Sequence, residues 1–227
     1  MRHKLNLVVI DTSTRFAGVS VANDAGDRAT RSWRSTQNHG RELMPAIVES
    51  LAELSLTPVD ITHVAVALGP GGFSAVRVGI SVALGLVIAN HLPVLGISTH
   101  EIEAEPHEAS AGADTPLYSL IPAGRNEISW TRHSTGGQTE SKTGIAAPEQ
   151  LAQQLEAGAL LCGEACDLMA GLVEASRFRG HEAPTRDSNS ILDMAIRKFE
   201  SGLSTPYEEL RPIYARPPSI TKPKPAK

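Results

Sequence analysis

The chain has 227 residues, a formal net charge of −4 and two cysteines, Cys162 and Cys166. A chain of this length buries roughly 70% of its unfolded surface, so it needs no disulfide framework or structural metal. The negative charge argues against a protein that binds nucleic acid by itself, and no apolar stretch reaches the roughly 20 residues of a membrane span.

The first hundred residues predict five strands and two helices. The strands are predicted at 5–10, 16–22, 29–35, 64–68 and 93–97, because apolar or alternating runs there end at polar turns or glycines. A helix over 42–54 places apolar residues on one face. A second helix over 75–89, capped by Ser74, is apolar nearly all round. Such a helix must be covered on both sides, by the sheet and by another helix or another protein.

The second half predicts strands mixed with shorter helices, which indicates an α/β fold. An acidic, proline-containing segment at 102–114 is interpreted as a domain boundary. Strands are then predicted at 117–121, 127–132 and 159–162, and helices at 148–156, 166–175 and 190–201. The expected division is an N-terminal subdomain at 1–101, with 209–218 packing back on it, a C-terminal subdomain at 115–205 and a disordered tail at 219–227.

A polar turn between the first two strands carries the first chemical signal. Asp11, Thr12 and Ser13 offer hydroxyl and backbone N–H groups to phosphate oxygens, and the carboxylate could orient a metal-bound water. The same residues are at least as typical of an ordinary side-chain-stabilised turn.

A glycine loop between a strand and the second helix carries the other signal. Gly69, Gly71 and Gly72 would let the backbone approach an anion at the helix N-terminus, and Arg77 lies one turn further along. The loop matches neither the Walker pattern nor the dinucleotide-binding pattern. The turn and the loop together are therefore degenerate candidates for nucleotide or anion binding.

Several longer segments resemble the successive sequence blocks of the TsaB (YeaZ) family. They are VVIDTSTRFAGVSVA, NHGRELMPAIVESL, VAVALGPGGFSAVRVGISVALGLVIA, PVLGIST and, near the C-terminus, PIYARPP. The GPGGFSAVRVG stretch is the most specific of them. The resemblance implies an actin-like (ASKHA) α/β fold of two subdomains, with mixed sheets and flanking helices, in which a first polar hairpin faces a later glycine loop across a cleft.

The chain departs from the family pattern in the second subdomain, where IPAGRNEISW stands in place of an Asp-Ala-Arg run and Pro122 takes the position of the aspartate. The related TsaD family, which transfers the threonylcarbamoyl group to tRNA, carries two metal-binding histidines four residues apart. No two of the eight histidines here have that spacing, and each is interpreted as a surface residue. No metal site is expected.

The resemblance implies a cytoplasmic, non-catalytic scaffold that binds and activates TsaD, with TsaE completing the assembly. The product would be threonylcarbamoyladenosine beside the anticodon of tRNAs that read codons beginning with A, and tRNA would be contacted only through the complex. No cofactor is required, although ATP or ADP could bind weakly at the interface with TsaD.

The two long helices of the first half are the candidate docking surface, for TsaD or for a second copy of the chain. The candidate positions are Val78, Val82, Leu86 and Ala89 on the second helix and Leu43 and Ile47 on the first.

Two enzyme classes remain as alternatives. Asp11 and the glycine loop permit a small ATPase or sugar kinase of the same fold, although no second carboxylate of the expected kind is identified. A glycoprotease-like peptidase is less favoured, because neither an HExxH metal motif nor a GxSxG nucleophile motif is present.

Overall fold

The computed structural model describes residues 5–36, 38–112, 115–133 and 141–216. Within these residues the chain forms two five-stranded sheets, each with its own helices, which we call the first lobe and the second lobe.

The sheet of the first lobe combines an antiparallel meander with two parallel strands. Its strands are β1 (Leu7–Asp11), β2 (Phe16–Ala22), β3 (Arg28–Arg34), β4 (His63–Ala67) and β5 (Val94–Ile97), in the order β3-β2-β1-β4-β5. β1 pairs antiparallel with β2 and parallel with β4. Because β1 and β4 are covered on both faces, they are continuous apolar runs, whereas β3, at the edge, alternates between buried and exposed residues.

Helices cover both faces of this sheet. α1 (His39–Glu53) and α2 (Phe73–Asn90) pack on one face, and α5 (Ser188–Glu200) packs on the other. The predicted cap of α2 is wrong by two residues, because Gly72 is the N-cap and Ser74 lies inside the helix. Because α5 packs on the first sheet, it belongs to the first lobe, and the expected C-terminal subdomain at 115–205 is wrong in including it.

α2 buries only one narrow stripe. Its buried residues are Val76, Gly79, Ile80, Ala83 and Val87. All but Gly79 recur every three or four positions and join the core shared with α1. By length and composition α2 is also the one helix of the described residues that could cross a membrane, although 28% of its length is buried in the protein.

Two predicted docking positions on α1 face inward. Leu43 and Ile47 have no exposed surface and pack in the core between α1 and the sheet. They cannot contact a partner, so this part of the predicted docking surface is wrong. The exposed apolar residues of α1 are instead their neighbours Met44 and Val48.

The sheet of the second lobe repeats the arrangement of the first. Its strands are β6 (Leu117–Pro122), β7 (Ile128–His133), β8 (Lys142–Ala146), β9 (Leu160–Cys162) and β10 (Phe178–Arg179). The order β8-β7-β6-β9-β10 matches β3-β2-β1-β4-β5, again as a meander followed by two parallel strands. In this correspondence, Pro122 at the end of β6 is the counterpart of Asp11 at the end of β1.

Two predictions in this half are wrong. The segment expected to be a boundary loop at 102–114 lies mostly within α3 (Thr99–Ala111), which packs on β6 and β9. Glu103, Glu105 and Glu108 are therefore helical, and positions 113–114 lie outside the described residues. The helix predicted over 166–175 is only a short 3-10 turn, Cys166–Met169, because the chain turns at Gly171 with φ near +79°. α4 (Pro148–Gln154) agrees with its prediction.

Three histidines predicted to be on the surface are buried. His39 contacts the Thr14 carbonyl oxygen at 3.0 Å. His100 of α3 lies between Ser119 (2.8 Å from Nδ1) and Ser129 (3.0 Å from Nε2). Ser119 Oγ is also 2.8 Å from Nε2 of His133. Together, His100, Ser119, Ser129 and His133 form a continuous hydrogen-bonded chain between α3 and the second sheet, which we call the histidine–serine chain.

The segment after α5 returns to the first lobe. Thr205 N–H donates to the Val94 carbonyl oxygen at 2.7 Å, and Leu210 joins the core beneath α1 and α2. Ile213 N–H then donates to the Leu68 carbonyl oxygen at 2.7 Å. The end of the described chain thus packs beside β4 and β5.

Candidate functional site

A cavity of about 1000 Å³ lies between the two lobes. The first lobe contributes the loops that precede α1 and α2, and the second lobe contributes the ends of β6 and β9. The lining residues are Thr14, Arg15, Ser35, His39, Gly40, Gly71, Gly72, Phe73, Ser74, Ala75, Val78, Pro122, Glu164, Asp167 and Leu168. Of the predicted binding residues, Gly71 and Gly72 line this cleft. The polar turn reaches it only through Thr14, and the other predicted residues do not line it: Asp11, Thr12, Ser13, Gly69 and Arg77.

The polar turn and the glycine loop belong to the same lobe and contact each other directly, so the expectation that they face each other across the cleft is wrong. Gly72 N–H donates to the Ser13 carbonyl oxygen at 2.7 Å, and Thr12 Oγ1 donates to the Ala75 carbonyl oxygen at 2.7 Å. A Cβ on Gly71 would lie 2.7 Å from the Ser13 carbonyl carbon and closer still to its oxygen. The glycine at this position is thus required by the close approach of two backbones.

Two other glycines of this region also serve packing within the chain. Gly79 lies against the turn, where a Cβ would be 2.5 Å from Thr12 Oγ1. Gly69 has φ near +93°, and a Cβ there would be 2.6 Å from the Ile213 carbonyl oxygen. The conformation of the loop is therefore determined by packing against other parts of the chain.

Both carboxylate oxygens of Asp11 are engaged inside the protein. Oδ1 accepts from the Ser13 N–H at 2.9 Å and from the Ser13 hydroxyl at 2.6 Å. Oδ2 accepts from Nε of Arg186 at 2.7 Å, and both side chains are almost fully buried. Three hydrogen bonds within the chain, one of them from a guanidinium, therefore hold the Asp11 carboxylate in place.

Arg77, one of the predicted anion ligands, contacts other side chains of the protein. Its Nε donates to the Tyr214 hydroxyl at 2.7 Å, and its guanidinium lies over the Phe73 ring at 4.1 Å from the centroid. Phe73 and Tyr214 are themselves stacked. The arginine thus fixes the C-terminal segment against the start of α2, and it does not line the cavity.

The second lobe presents a different polar group from the one expected of a nucleotide cleft. Pro122 holds the position equivalent to Asp11, while Glu164, directly after β9, reaches towards the first lobe. In the described part of the chain, no three histidine, cysteine or acidic side chains are arranged to hold a metal ion. Cys162 and Cys166 are buried free thiols whose pKa is raised by burial.

Sequence reasoning found the turn and the loop but missed Arg186, Glu103 and Glu164. These residues come from the segment before α5, from α3 and from the turn after β9. They lie 22 to 175 positions from one another or from Asp11 in the sequence, and only the fold brings them together. No local motif marks them, and only the burial of charged side chains identifies them.

The isolated chain is expected to bind ATP and magnesium weakly or not at all. Asp11 is already paired, the loop N–H of Gly72 is used within the protein, and Arg77 is turned away from the cavity. Titration calorimetry with ATP and MgCl2 is the measurement. A micromolar dissociation constant, about −8 kcal/mol, would contradict the expectation and revive the kinase alternative.

Comparison with known proteins places this chain in a family. The family model described as TsaD, tRNA N6-adenosine threonylcarbamoyltransferase, matches residues 34–160, which is more than half of the chain. The chain is 26% identical to the tRNA threonylcarbamoyladenosine biosynthesis protein TsaB of Escherichia coli K12 over 221 residues, covering 93% of this chain and 95% of the relative. It is also 26% identical to the Bacillus subtilis protein of the same name over half of each chain.

The solved structures agree on the fold. YeaZ from Pseudomonas aeruginosa superimposes with a TM-score of 0.76 at 23% identity, covering 92% of this chain and 99% of that one. The expected actin-like fold of two α/β subdomains is confirmed. The chain therefore belongs to the family described by the TsaD model, and within it to the TsaB (YeaZ) proteins.

Proposed function

We propose that this chain is a non-catalytic partner subunit that binds and activates TsaD in the formation of threonylcarbamoyladenosine next to the anticodon of tRNAs reading codons that begin with A. Its matched relatives carry the name of tRNA threonylcarbamoyladenosine biosynthesis proteins. TsaE would complete the assembly, tRNA would be contacted through the complex, and the place of action would be the cytoplasm.

The observation that carries this proposal is an apolar surface on α1 and α2, which we call the docking surface. Its most exposed members are Met44 (39%), Val48 (47%) and Ile88 (56%). On α2, Val78, Val82 and Leu86 are half-buried, and Ala89 is exposed. Large apolar side chains gathered on the outside of two packed helices are typical of a protein interface.

Small exposed residues on α2 would allow a partner to approach the helix closely. Ser81, Gly85 and Ala89 are exposed and recur every four positions, so they lie on one face of the helix. A Cβ on Gly85 would meet nothing within 4 Å. A partner helix could therefore approach the backbone of α2 along this stripe, with the larger apolar residues on either side.

A protein partner accounts for α2 better than a lipid bilayer does. Val76, Ile80, Ala83 and Val87 are part of the core beneath the helix. Moving the helix into a membrane would expose that core to water, at roughly 25 cal/mol for each Å² of apolar surface. A partner that covers only the outer face leaves the first lobe intact.

The cleft supports a scaffold more than a catalyst. Asp11 is paired with Arg186, and Pro122 stands where the second lobe would need a polar ligand. An ATPase or kinase of this fold depends on carboxylates free to position a metal–nucleotide complex. The chain is therefore expected to produce no modified tRNA by itself.

Reconstitution with TsaD from the same organism tests the proposal. The chain and TsaD are incubated separately and together with TsaE, tRNA, ATP and threonylcarbamoyl-adenylate, and the modified nucleoside is quantified. We expect product only when both chains are present. The variant Ile88→Glu should weaken the complex about 30-fold or more, because a charge would be buried without a partner.

Leu203→Glu is the matched control. Leu203 is 50% exposed and follows α5, which packs on the opposite face of the first sheet. This variant should bind and activate TsaD like the wild type. Modification by the chain alone would refute the non-catalytic role, whereas full binding by Ile88→Glu, Met44→Glu and Val48→Glu would place the interface elsewhere. Sedimentation of the free chain would show whether the same surface also pairs two copies.

A further inference from the structure

Arg186 is the centre of a buried cluster of charges at the base of the cleft. Its Nε donates to Asp11 at 2.7 Å, and its Nη1 contacts Glu103 at 2.6 Å and Glu164 at 2.9 Å. Nη2 donates to the Thr14 hydroxyl at 2.5 Å, and that hydroxyl donates to Glu164. Each of the four charged side chains is at most 4% exposed. All three nitrogens of the guanidinium are thus used.

The partners of Arg186 come from separate parts of the fold. Asp11 ends β1 in the first lobe, Glu103 lies on α3, which connects the lobes, and Glu164 follows β9 in the second lobe. The arginine itself is held to the first lobe, because the next residue, Asp187, caps α5 and Ser188 accepts a hydrogen bond from Ser20 of β2. One planar cation therefore connects both lobes and the helix between them.

The guanidinium offsets one of the three negative charges that the ionised carboxylates of the cluster would carry. With the three carboxylates ionised, removal of the guanidinium would leave three buried negative charges without compensation. Burial alone would lower the pKa of Arg186, but the carboxylates outweigh that effect and raise it, so the side chain stays charged. Burial raises the pKa of Glu103, whose Oε2 has no hydrogen-bond partner among the described residues.

We propose that Arg186 is a built-in cation of the interlobe cleft, which fixes the two lobes at one angle and keeps Asp11 from binding a metal ion. A cleft that depended on a metal–nucleotide complex would receive its positive charge with the ligand and would change its opening when the ligand left. Here the charge is part of the chain. The lobes keep one relative orientation, and this does not depend on which partner the docking surface binds.

Chemical rescue of Arg186→Ala tests the proposal. The substitution removes the guanidinium and leaves a space of its size, so thermal unfolding should occur roughly 10 °C lower than in the wild type. Guanidinium chloride at about 20 mM, far below denaturing concentrations, should restore several degrees in a saturable manner, because the ion binds only the folded variant. Urea and NaCl at the same concentration should not.

Arg28→Ala is the matched control, because Arg28 forms one exposed ion pair, with Asp193. It should unfold close to the wild type and show no guanidinium stabilisation. Small-angle scattering adds a readout of lobe orientation, since the maximum dimension of Arg186→Ala should increase and return with guanidinium. If guanidinium stabilises Arg186→Ala no more than NaCl does, the proposal is wrong.

Two further measurements keep the test decisive. Magnesium chloride should leave the unfolding temperature of the wild type unchanged, and a saturable increase that Asp11→Asn abolishes would show that Asp11 binds the metal.

If Arg186→Ala does not fold, Arg186→Lys replaces it. The lysine keeps the charge but reaches fewer carboxylates than the three-nitrogen fork. It should unfold about 5 °C lower than the wild type, and wild-type stability would overturn the role of the guanidinium.

Discussion

Replacing Gly71 with alanine is expected to lower the unfolding temperature by roughly 10 °C, from a loss of about 3 kcal/mol or more. The added Cβ would overlap the Ser13 carbonyl group, whose carbon is 2.7 Å from the ideal Cβ position. The atoms in the way are backbone, so no side-chain rotation relieves the overlap. The loop must move, and the hydrogen bond from Gly72 N–H to Ser13 is lost with it.

Thermal unfolding followed by circular dichroism measures this effect, and Gly85→Ala is its control. A Cβ on Gly85 meets nothing within 4 Å, and the residue lies in an exposed helical position. Alanine there should raise stability by about 0.5–1 kcal/mol, because it is the better helix former. Equal unfolding temperatures for Gly71→Ala and the wild type would show that the turn and the loop are not in close contact.

Stability is also expected to fall steeply in acid because of the histidine–serine chain. Burial, together with the charge of His133, lowers the pKa of His100 from 6.5 to about 3. Burial lowers the pKa of His133 to about 4. A folded-state pKa below the unfolded value means that the native state favours the neutral imidazole. This stabilisation is complete above pH 6.5 and is lost as the pH falls towards the folded-state values.

Urea unfolding at pH 7 and pH 5 provides the measurement. Each histidine should contribute a loss of about 2 kcal/mol over this interval, since a one-unit pKa difference corresponds to roughly 1.4 kcal/mol. His100→Gln removes one titrating group and keeps an amide that can bond to both serines, so its loss should be about 2 kcal/mol smaller. The control His91→Asn, at an exposed position after α2, should lose as much as the wild type. Equal losses for His100→Gln and the wild type would contradict the prediction.

The strands were predictable because their burial is recorded in local patterns. β1 and β4 are continuous apolar runs, and β2 is predicted with its observed ends. The failures occur where tertiary contacts override local preference. α3 contains Pro106 and many acidic residues, yet one face of it packs on the second sheet and carries the buried Glu103.

The candidate site was predictable in part for the same reason. The turn after β1 and the loop after β4 lie at the ends of two neighbouring parallel strands, so their meeting follows from the topology. Helical periodicity identified the apolar face of α1, but it could not tell whether Leu43 and Ile47 face the core or a partner. Arg186 was not predictable, because its three carboxylate partners are 22 to 175 residues away and none forms a motif with it.

The position of α5 on the first sheet has a consequence for biosynthesis. β1 to β5 are complete once residue 97 has been made. The face of the sheet on which α5 packs lacks this helix until about a hundred further residues have left the ribosome. Leu210, which closes the other core, arrives later still. The first lobe therefore cannot finish folding during translation before the second lobe has been synthesised, and its apolar surface is exposed to aggregation or to chaperones for that whole interval.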